Sequence, residues 1–347
     1  MEKIINTEQI EHNEYNQKLT RGRLIALLLA PIIAGIVYYM ALPQGGQIAG
    51  ALSITVFVAI LWVSEALPLP VTALLIPIGL AGIGVFELRE AFSPFGSSVL
   101  FLVLGGYALA VAVEKNGVDK WIAQHILGLS GNKTVGLFVA IMATSALLSM
   151  LISNTATTAL LLPVVIGILA KQAVDGNLTR ILILGVAYGA SIGGVATITG
   201  TAPNAIAAGL LDISFLEWIS FGLPVTITML AVAMTILWWT YRPSVKTLKL
   251  DLKEKTPLTP NGKKTIIVVG VILSLWLFGS FIGNFLALPK AVFSSSSVAI
   301  MAVALLILAG TVSWKTLEKG IHWGVLLLLG GGLALGHGLT ESGAAAW

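Results

Sequence analysis

Long apolar runs occupy most of this 347-residue chain and decide its fold class. Hydrophobic residues make up 56% of the sequence and charged residues only 10%, whereas soluble domains carry about 25% charged residues. A helix needs roughly 20 apolar residues to cross a bilayer, and several runs reach that length. Strand-type alternation is absent, so we predict an all-α polytopic membrane protein. The runs lie at 24–42, 48–66, 70–85, 98–114, 135–152, 156–170, 181–211, 215–240, 265–287, 292–310 and 323–339.

The charges between the runs predict how the chain is oriented. Lysine and arginine concentrate in particular gaps, most of all between Arg242 and Lys264, and the positive-inside rule places these gaps in the cytoplasm. The N-terminus is then cytoplasmic, in an inner or plasma membrane. The first 23 residues are polar with an acidic bias, so we expect the first span to remain as an anchor and not to be a cleaved signal peptide. The net charge of +4 reflects this topology and does not indicate a nucleic-acid partner.

One stretch of the sequence recurs. "GGYALAVAVEKNGV" from Gly105 aligns without a gap with "GGLALGHGLTESGA" from Gly331. The loop charges give the two copies opposite orientations, which is typical of an inverted-topology repeat; the alternative is that such glycine-rich patterns recur by chance in membrane helices. The two copies are 226 residues apart, the difference between 105 and 331. The same shift would place a second copy of the 153–155 triplet after Trp347, so we expect this sequence to be about three quarters of a longer protein.

A polar triplet, Ser153-Asn154-Thr155, interrupts a region otherwise suited to lipid. The apolar runs on either side are short and both have basic outer ends, so we predict a re-entrant hairpin over 134–171 with the triplet at its tip. Serine, asparagine and threonine are preferred N-caps, and the N-terminus of a helix attracts anions. The alternative is that the hydroxyl groups bond to helix carbonyls or to a neighbouring helix.

A second interruption lies in "GTAPN", which starts at Gly200. Pro203 suits the first turn of a new helix, so we predict that the span over 181–211 is broken here. Carbonyl groups freed at the end of the first half-helix would suit a cation. The alternative is a simple proline kink, with Gly189 and Gly193 as close-packing positions.

The scarcity of ionisable groups in this region favours Na⁺ over a proton as the coupling ion. Between Trp121 and Leu211 the only acidic residue is Asp175 and the only histidine is His125. Proton pathways in membranes depend on titrating side chains. Hydroxyl, amide and carbonyl oxygens, which this region does offer, can coordinate Na⁺.

At these residues the sequence resembles the divalent anion:sodium symporter family, the INDY-like carriers of di- and tricarboxylates. The resemblance is carried by "WVSEALPLPVTALLIPI" from Trp62, "SALLSMLISNTATTALLLPV" from Ser145 and "AYGASIGGVATITGTAPNAIAAG" from Ala187. It implies two hairpins with Ser-Asn-Thr tips, a homodimer, and an elevator-like movement of a transport domain against a scaffold. The second tip is absent from these 347 residues, which alone should then not transport.

The resemblance also implies which residues bind the ion and the substrate. The Na⁺ site would consist of the side chains of Ser149, Ser153 and Asn154 and the backbone carbonyl of Gly200. The substrate carboxylate would meet Ser153, Asn154 and Thr155, with Thr201 close by. Ala202 stands where many relatives have a second proline, which puts the loop shape and the substrate preference in question. Away from the site, we expect Glu65 to cap or bond a helix end and His337 to pack or to line a cavity.

The function implied is sodium-coupled symport of a dicarboxylate such as succinate, with no organic cofactor. A sodium-independent exchanger, or a sulfate or tricarboxylate carrier, would use the same fold. A membrane-embedded enzyme would need an acid/base or metal constellation that the core lacks, and a channel would not need two helix breaks. The expected parts are a cytoplasmic segment (1–23), repeat-1 scaffold helices (24–133), a transport part (134–240, with hairpin 134–171, broken helix 181–211 and helix 215–240), a solvated cytoplasmic linker (241–264), and scaffold helices of an incomplete second repeat (265–347).

Overall fold

The computed structural model describes residues 20–170, 175–248 and 257–347. Seven segments in these ranges are long and apolar enough to cross a membrane, and four shorter apolar helices accompany them. The prediction of an all-α polytopic membrane protein is confirmed. In chain order the α-helices are α1 (Arg21–Ala41), α2 (Gly46–Ser64), α3 (Leu69–Gly82), α4 (Leu88–Phe92), α5 (Ser98–Lys115), α6 (Val118–Gly128), α7 (Thr134–Ser149), α8 (Asn154–Ala170), α9 (Gly176–Gly193), α10 (Ala202–Leu210), α11 (Phe215–Tyr241), α12 (Pro260–Phe285), α13 (Ser295–Leu308), α14 (Trp314–Gly320) and α15 (Trp323–Glu341).

Polar caps start three of the spans earlier than the apolar runs predict. The side chain of Thr20 accepts a hydrogen bond at the start of α1, Asp175 does so at the start of α9, and Thr259 at the start of α12. A capped first turn can be polar because its free N–H groups are satisfied locally. The predicted starts at 24, 181 and 265 therefore each lie three to five residues too late.

Three short helices lie where the sequence predicts connections. They are α4, α6 and α14, and they occupy gaps between the apolar runs. In α6 the buried side chains are those of Val118, Asp119, Ala123 and Leu127, a spacing that places them on one face. A helix with one apolar stripe has a low average hydropathy, so a search for long apolar runs does not find it.

The chain packs as two compact units. The first unit comprises the described residues up to Gly96 together with Leu327–Trp347. In this unit α2 is followed by Glu65 in the left-handed conformation, and the Glu65 carboxylate lies 3.6 Å from Arg23. The imidazole of His337 stacks on Phe86 with ring centroids 4.8 Å apart. The helix-end contact of Glu65 and the packing of His337 both agree with expectation.

Helix ends recur at the 226-residue spacing seen in the sequence. The segment α3 corresponds residue for residue to α13, and α5 corresponds to α15 to within one residue. A left-handed glycine follows the first member of each pair, Gly84 (φ 78°) and Gly117 (φ 67°). Their counterparts Gly310 (φ 69°) and Gly343 (φ 79°) have the same conformation. Two stretches of the chain therefore use the same backbone pattern.

Two close glycine contacts are related by the same spacing. In the second unit, Ser97–Leu326, a Cβ on Gly105 would come within 3.0 Å of the backbone and Cβ of Ala299. In the first unit, a Cβ on Gly331 would come equally close to Ala73. Gly331 is the counterpart of Gly105, and Ala299 is the counterpart of Ala73. The two contacts thus join segments at the same spacing: Gly105 in α5 packs on α13, and Gly331 in α15 packs on α3.

The chain enters and leaves the segment 134–246 at a single place. Thr134 donates from its backbone N–H to the carbonyl of Lys246 (3.1 Å) and from its hydroxyl to that of Val245 (2.5 Å). The N–H of Leu248 donates to the carbonyl of Asn132 (2.8 Å), and Leu248 is buried. Up to Leu248 the predicted 241–264 linker is therefore paired through its backbone with the loop before α7, while several of its side chains stay exposed, among them those of Arg242 and Lys246. Residues 249–256 lie outside the described ranges.

Candidate functional site

The predicted hairpin is a helix, a short break and a second helix, all in the second unit. The first helix, α7, ends at Ser149, and α8 starts at Asn154. The hydroxyl of Ser153 accepts from the N–H of Ala156 (3.2 Å), and the carbonyl of Ser153 accepts from the N–H of Thr157 (2.9 Å). Ser153 therefore caps α8, as its side chain predicts. Lys171, the predicted outer end, lies outside the described residues.

Side chains from the two helices meet across this break. The buried hydroxyl of Ser149 donates to the amide oxygen of Asn154 (2.5 Å). Ser153 and Asn154 are half-buried, and Thr155 is exposed at the start of α8. The hydrogen bond fixes the position of the Asn154 amide, so the predicted ligands Ser149 and Asn154 lie side by side.

The predicted break in the following span is also present. The α9 helix ends at Gly193, a 3₁₀ turn covers Gly194–Ala196, and α10 begins only at Ala202, after Thr201 in extended conformation. The alternative role of the glycines is present as well. A Cβ on Gly193 would come within 3.0 Å of the backbone of Ala146 in α7. Close packing of α9 on α7 and a broken span therefore coexist.

The two breaks lie against each other. The hydroxyl of Thr197 donates to the carbonyl of Met150 (2.7 Å), which joins one break to the other. A Cβ on Gly194 would lie 2.5 Å from the amide oxygen of Asn154 and 2.9 Å from Cγ2 of Thr201. Asn154 is the first residue of α8 and Thr201 directly precedes α10. The N-terminal ends of two helices therefore open towards the same small region.

Gly200 completes the cluster of predicted site residues. A Cβ on Gly200 would overlap the backbone of Gly194, so only glycine allows this close approach. The break also meets α5, because a Cβ on Gly106 would come within 3.0 Å of the side chain of Thr199. The residues predicted to bind Na⁺ and substrate thus form one cluster, although their roles remain predictions.

Asn204 is a site residue that the sequence reasoning missed. Its buried amide nitrogen donates to the carbonyls of Gly194 and Thr197, both at 2.8 Å. The indole N–H of Trp218 donates to the carbonyl of Val195 (3.0 Å). Three of the carbonyls freed at this break therefore already accept hydrogen bonds from side chains. Asking where each freed carbonyl finds a donor would have pointed to Asn204.

The cluster is electrically neutral in its side chains. It offers hydroxyl oxygens, an amide oxygen and backbone groups, and the described residues contain no group of three or more His, Asp, Glu or Cys that could hold a metal ion. Asp175, the residue before α9, accepts hydrogen bonds from the hydroxyl and N–H of Ser244 and from the N–H of Leu178. These bonds hold the pKa of Asp175 below its ordinary value. The described residues of the cluster carry no charged side chain, so the helix N-termini supply its partial positive charge.

Comparison with known proteins decides the family. A profile described as citrate transporter matches residues 59–347. The chain belongs to the citrate transporter family. An uncharacterized transporter of Haemophilus influenzae is 36% identical over 92% of this chain and 70% of its own length. An uncharacterized transporter of Methanocaldococcus jannaschii is 35% identical over 91% of this chain and 71% of its own length. The sodium-dependent dicarboxylate transporter SdcS of Staphylococcus aureus is 31% identical over 94% of this chain and 69% of its own length.

These similarities confirm the resemblance to divalent anion:sodium symporters. The protein is an integral membrane transporter and not an enzyme. Family membership alone fixes neither the substrate nor the coupling ion, since two of these relatives have neither in their names.

Proposed function

We propose that the protein carries a dicarboxylate such as succinate into the cell together with Na⁺. The observation that carries the proposal is the convergence of two helix N-termini, at Asn154 and Thr201, on one region without cationic side chains among the residues described there. Free N–H groups and the positive ends of two helix dipoles favour a carboxylate at such a place. The similarity to a sodium-dependent dicarboxylate transporter supports the same substrate class.

The cation in this proposal binds beside the carboxylate. Its ligands are the side chains of Ser149, Ser153 and Asn154 with the carbonyl of Gly200, and the carboxylate contacts Ser153, Asn154, Thr155 and Thr201. Bound Na⁺ orders both breaks and adds positive charge next to the helix ends, so that the carboxylate binds after it. Movement of the loaded site then exposes it to the other side of the membrane.

The architecture in this proposal is an inverted repeat with a scaffold and a transport domain over 134–240, working as a homodimer in the inner or plasma membrane with the N-terminus in the cytoplasm. The recurring helix ends and the reciprocal glycine contacts of Gly105 and Gly331 support the repeat. The paired entry and exit of the chain at Thr134 and Lys246 support a transport segment that moves as one piece.

A tricarboxylate such as citrate is the second candidate substrate, favoured by the description of the matching family. It would use the same cluster. Competition with labelled succinate in the same uptake assay separates the two, because the better substrate inhibits at the lower concentration.

The test is uptake of labelled succinate by the full-length protein in proteoliposomes. We expect uptake to require an inward Na⁺ gradient and to fall to background when choline replaces Na⁺. We expect Asn154→Ala to abolish uptake while the protein remains folded, whereas Asn284→Ala, an exposed asparagine near the end of α12, leaves uptake unchanged. Equal uptake in choline would indicate a sodium-independent exchanger, and normal uptake by Asn154→Ala would remove the triplet from the site.

A further inference from the structure

Two threonines have hydroxyl groups that are wholly buried and have no hydrogen-bond partner in the described part of the chain. They are Thr72 in α3 and Thr157 in α8, both 0% exposed. A buried hydroxyl without a partner is unfavourable and calls for an explanation. A ligand that supplies the missing interaction when it binds is one such explanation.

It is unusual in these helices for a threonine hydroxyl to lack a hydrogen-bond partner, as that of Thr157 does. Most helical threonines here donate to the carbonyl four residues earlier, among them Thr55, Thr144, Thr158, Thr228, Thr235 and Thr265. For Thr157 that carbonyl belongs to Ser153, which accepts from the N–H of Thr157 but not from its hydroxyl. The hydroxyl therefore points away from the usual acceptor on its own helix.

The position of Thr157 connects it with the cluster. It lies three residues after Asn154, and residues at this spacing are neighbours on one helix face. This face is the one packed against α7 and α9, because the buried side chains of α8 are Thr157, Leu161, Val165 and Leu169. Asn154 reaches Ser149 of α7 and Gly194 after α9 on the same side. Thr157 is thus the next oxygen-bearing side chain on this face after Asn154, towards the C-terminus of α8.

We propose that the Thr157 hydroxyl is a further ligand of the Na⁺ site. This inference rests on the function proposed above. The four assigned residues supply four oxygens, whereas hard cations such as Ca²⁺ and Mg²⁺ take about six or more in proteins. A neutral hydroxyl on a rigid helix adds an oxygen without adding charge. Binding of Na⁺ gives this buried oxygen its partner, so the site in the absence of Na⁺ contains an unsatisfied group that the ion satisfies.

Thr72 provides a matched control within the same molecule. It is equally buried and its hydroxyl equally lacks a partner, but it belongs to the first unit and the cluster belongs to the second. Thr→Val replaces the hydroxyl by a methyl group of nearly the same shape. The substitution should therefore affect packing similarly at both positions and Na⁺ affinity only at Thr157.

The experiment measures the Na⁺ concentration that gives half-maximal succinate uptake in proteoliposomes. A second assay measures the Na⁺ concentration that gives half of the maximal rise in melting temperature of the protein in detergent. Loss of one ligand oxygen worth about 1.4 kcal/mol corresponds to a tenfold change in affinity. We expect Thr157→Val to raise the half-maximal Na⁺ concentration about tenfold in both assays. Thr157→Ser, which keeps the oxygen, should restore it to nearly the native value, and Thr72→Val should leave it unchanged.

The possible results separate this inference from the proposed function. A native protein that responds to Na⁺ and a Thr157→Val variant with the native half-maximal concentration would overturn the ligand role only. A native protein without any response to Na⁺ would overturn both. If Thr157→Val does not fold, Thr157→Ala removes the same oxygen from a smaller side chain, and a native Na⁺ response in that variant would equally reject the ligand role.

Discussion

Asn204 offers the sharpest test of how the broken span is held. Its amide is 8% exposed and donates to the carbonyls of Gly194 and Thr197, both buried. Asn204→Ala leaves both carbonyls without this donor, and a buried polar group that loses its partner costs about 1–3 kcal/mol. We therefore expect a loss of roughly 2 kcal/mol, mainly from the Gly194 carbonyl, because the Thr197 carbonyl still accepts from the N–H of Gly200 (3.3 Å). Asn204→Asp removes the same donors and sets carboxylate oxygens opposite carbonyl oxygens, so its loss should be larger.

Thermal unfolding of the purified protein in detergent measures this effect. At roughly 2 °C per kcal/mol, Asn204→Ala should lower the melting temperature by about 4 °C. Asn284→Ala, which removes an exposed amide, should change stability by less than about 0.5 kcal/mol. Asn204→Ala should also raise the half-maximal Na⁺ concentration, because the Gly200 carbonyl loses its fixed position. A melting temperature within about 1 °C of the native value would show that the break does not depend on Asn204.

Two more predictions concern the same unit. Gly200→Ala should abolish succinate uptake, since its Cβ would overlap the backbone of Gly194. The control is Gly270→Ala, where a Cβ meets nothing within 4 Å, and it should stabilise α12 by up to about 1 kcal/mol. Native uptake by Gly200→Ala would contradict the close approach of Gly200 and Gly194. The hydrogen bonds from Ser244 lower the pKa of Asp175, so the stability that they provide is present above the ordinary value of about 3.9 and is lost as pH falls through the lower native pKa. Asp175→Asn should therefore lower the melting temperature at pH 7, and its difference from the native protein should shrink below about pH 4; a constant difference at all pH values would refute the assignment.

Features that depend on local sequence were predictable. The spans at 98–114 and 215–240 match α5 and α11 closely, because an apolar run with polar ends has few alternatives in a membrane. The capping role of Ser153 and the break before Ala202 were also predictable. Each follows from the backbone preferences of a few consecutive residues.

Features that depend on distant contacts were not predictable. Close packing of Gly189 and Gly193 was considered only as an alternative to a broken span, yet Gly193 packs against α7 and the span is broken as well. The role of Asn204 depends on where carbonyls up to ten residues away are placed. The missing partner of Thr157 is visible only when every neighbouring group has a position.

The adjacent ends of the segment 134–246 have a consequence for how such proteins can vary. The backbone bonds at Thr134 and Leu248 bring the two ends of a segment of more than a hundred residues together, so the chain enters and leaves this segment at adjacent points. Adjacent ends are the condition under which one segment can replace another without a change in the path of the flanking chain, provided that its contacts with α5 and α12 are kept. Chimeras cut at these two positions are the natural way to separate what this piece recognises from what the remaining chain contributes.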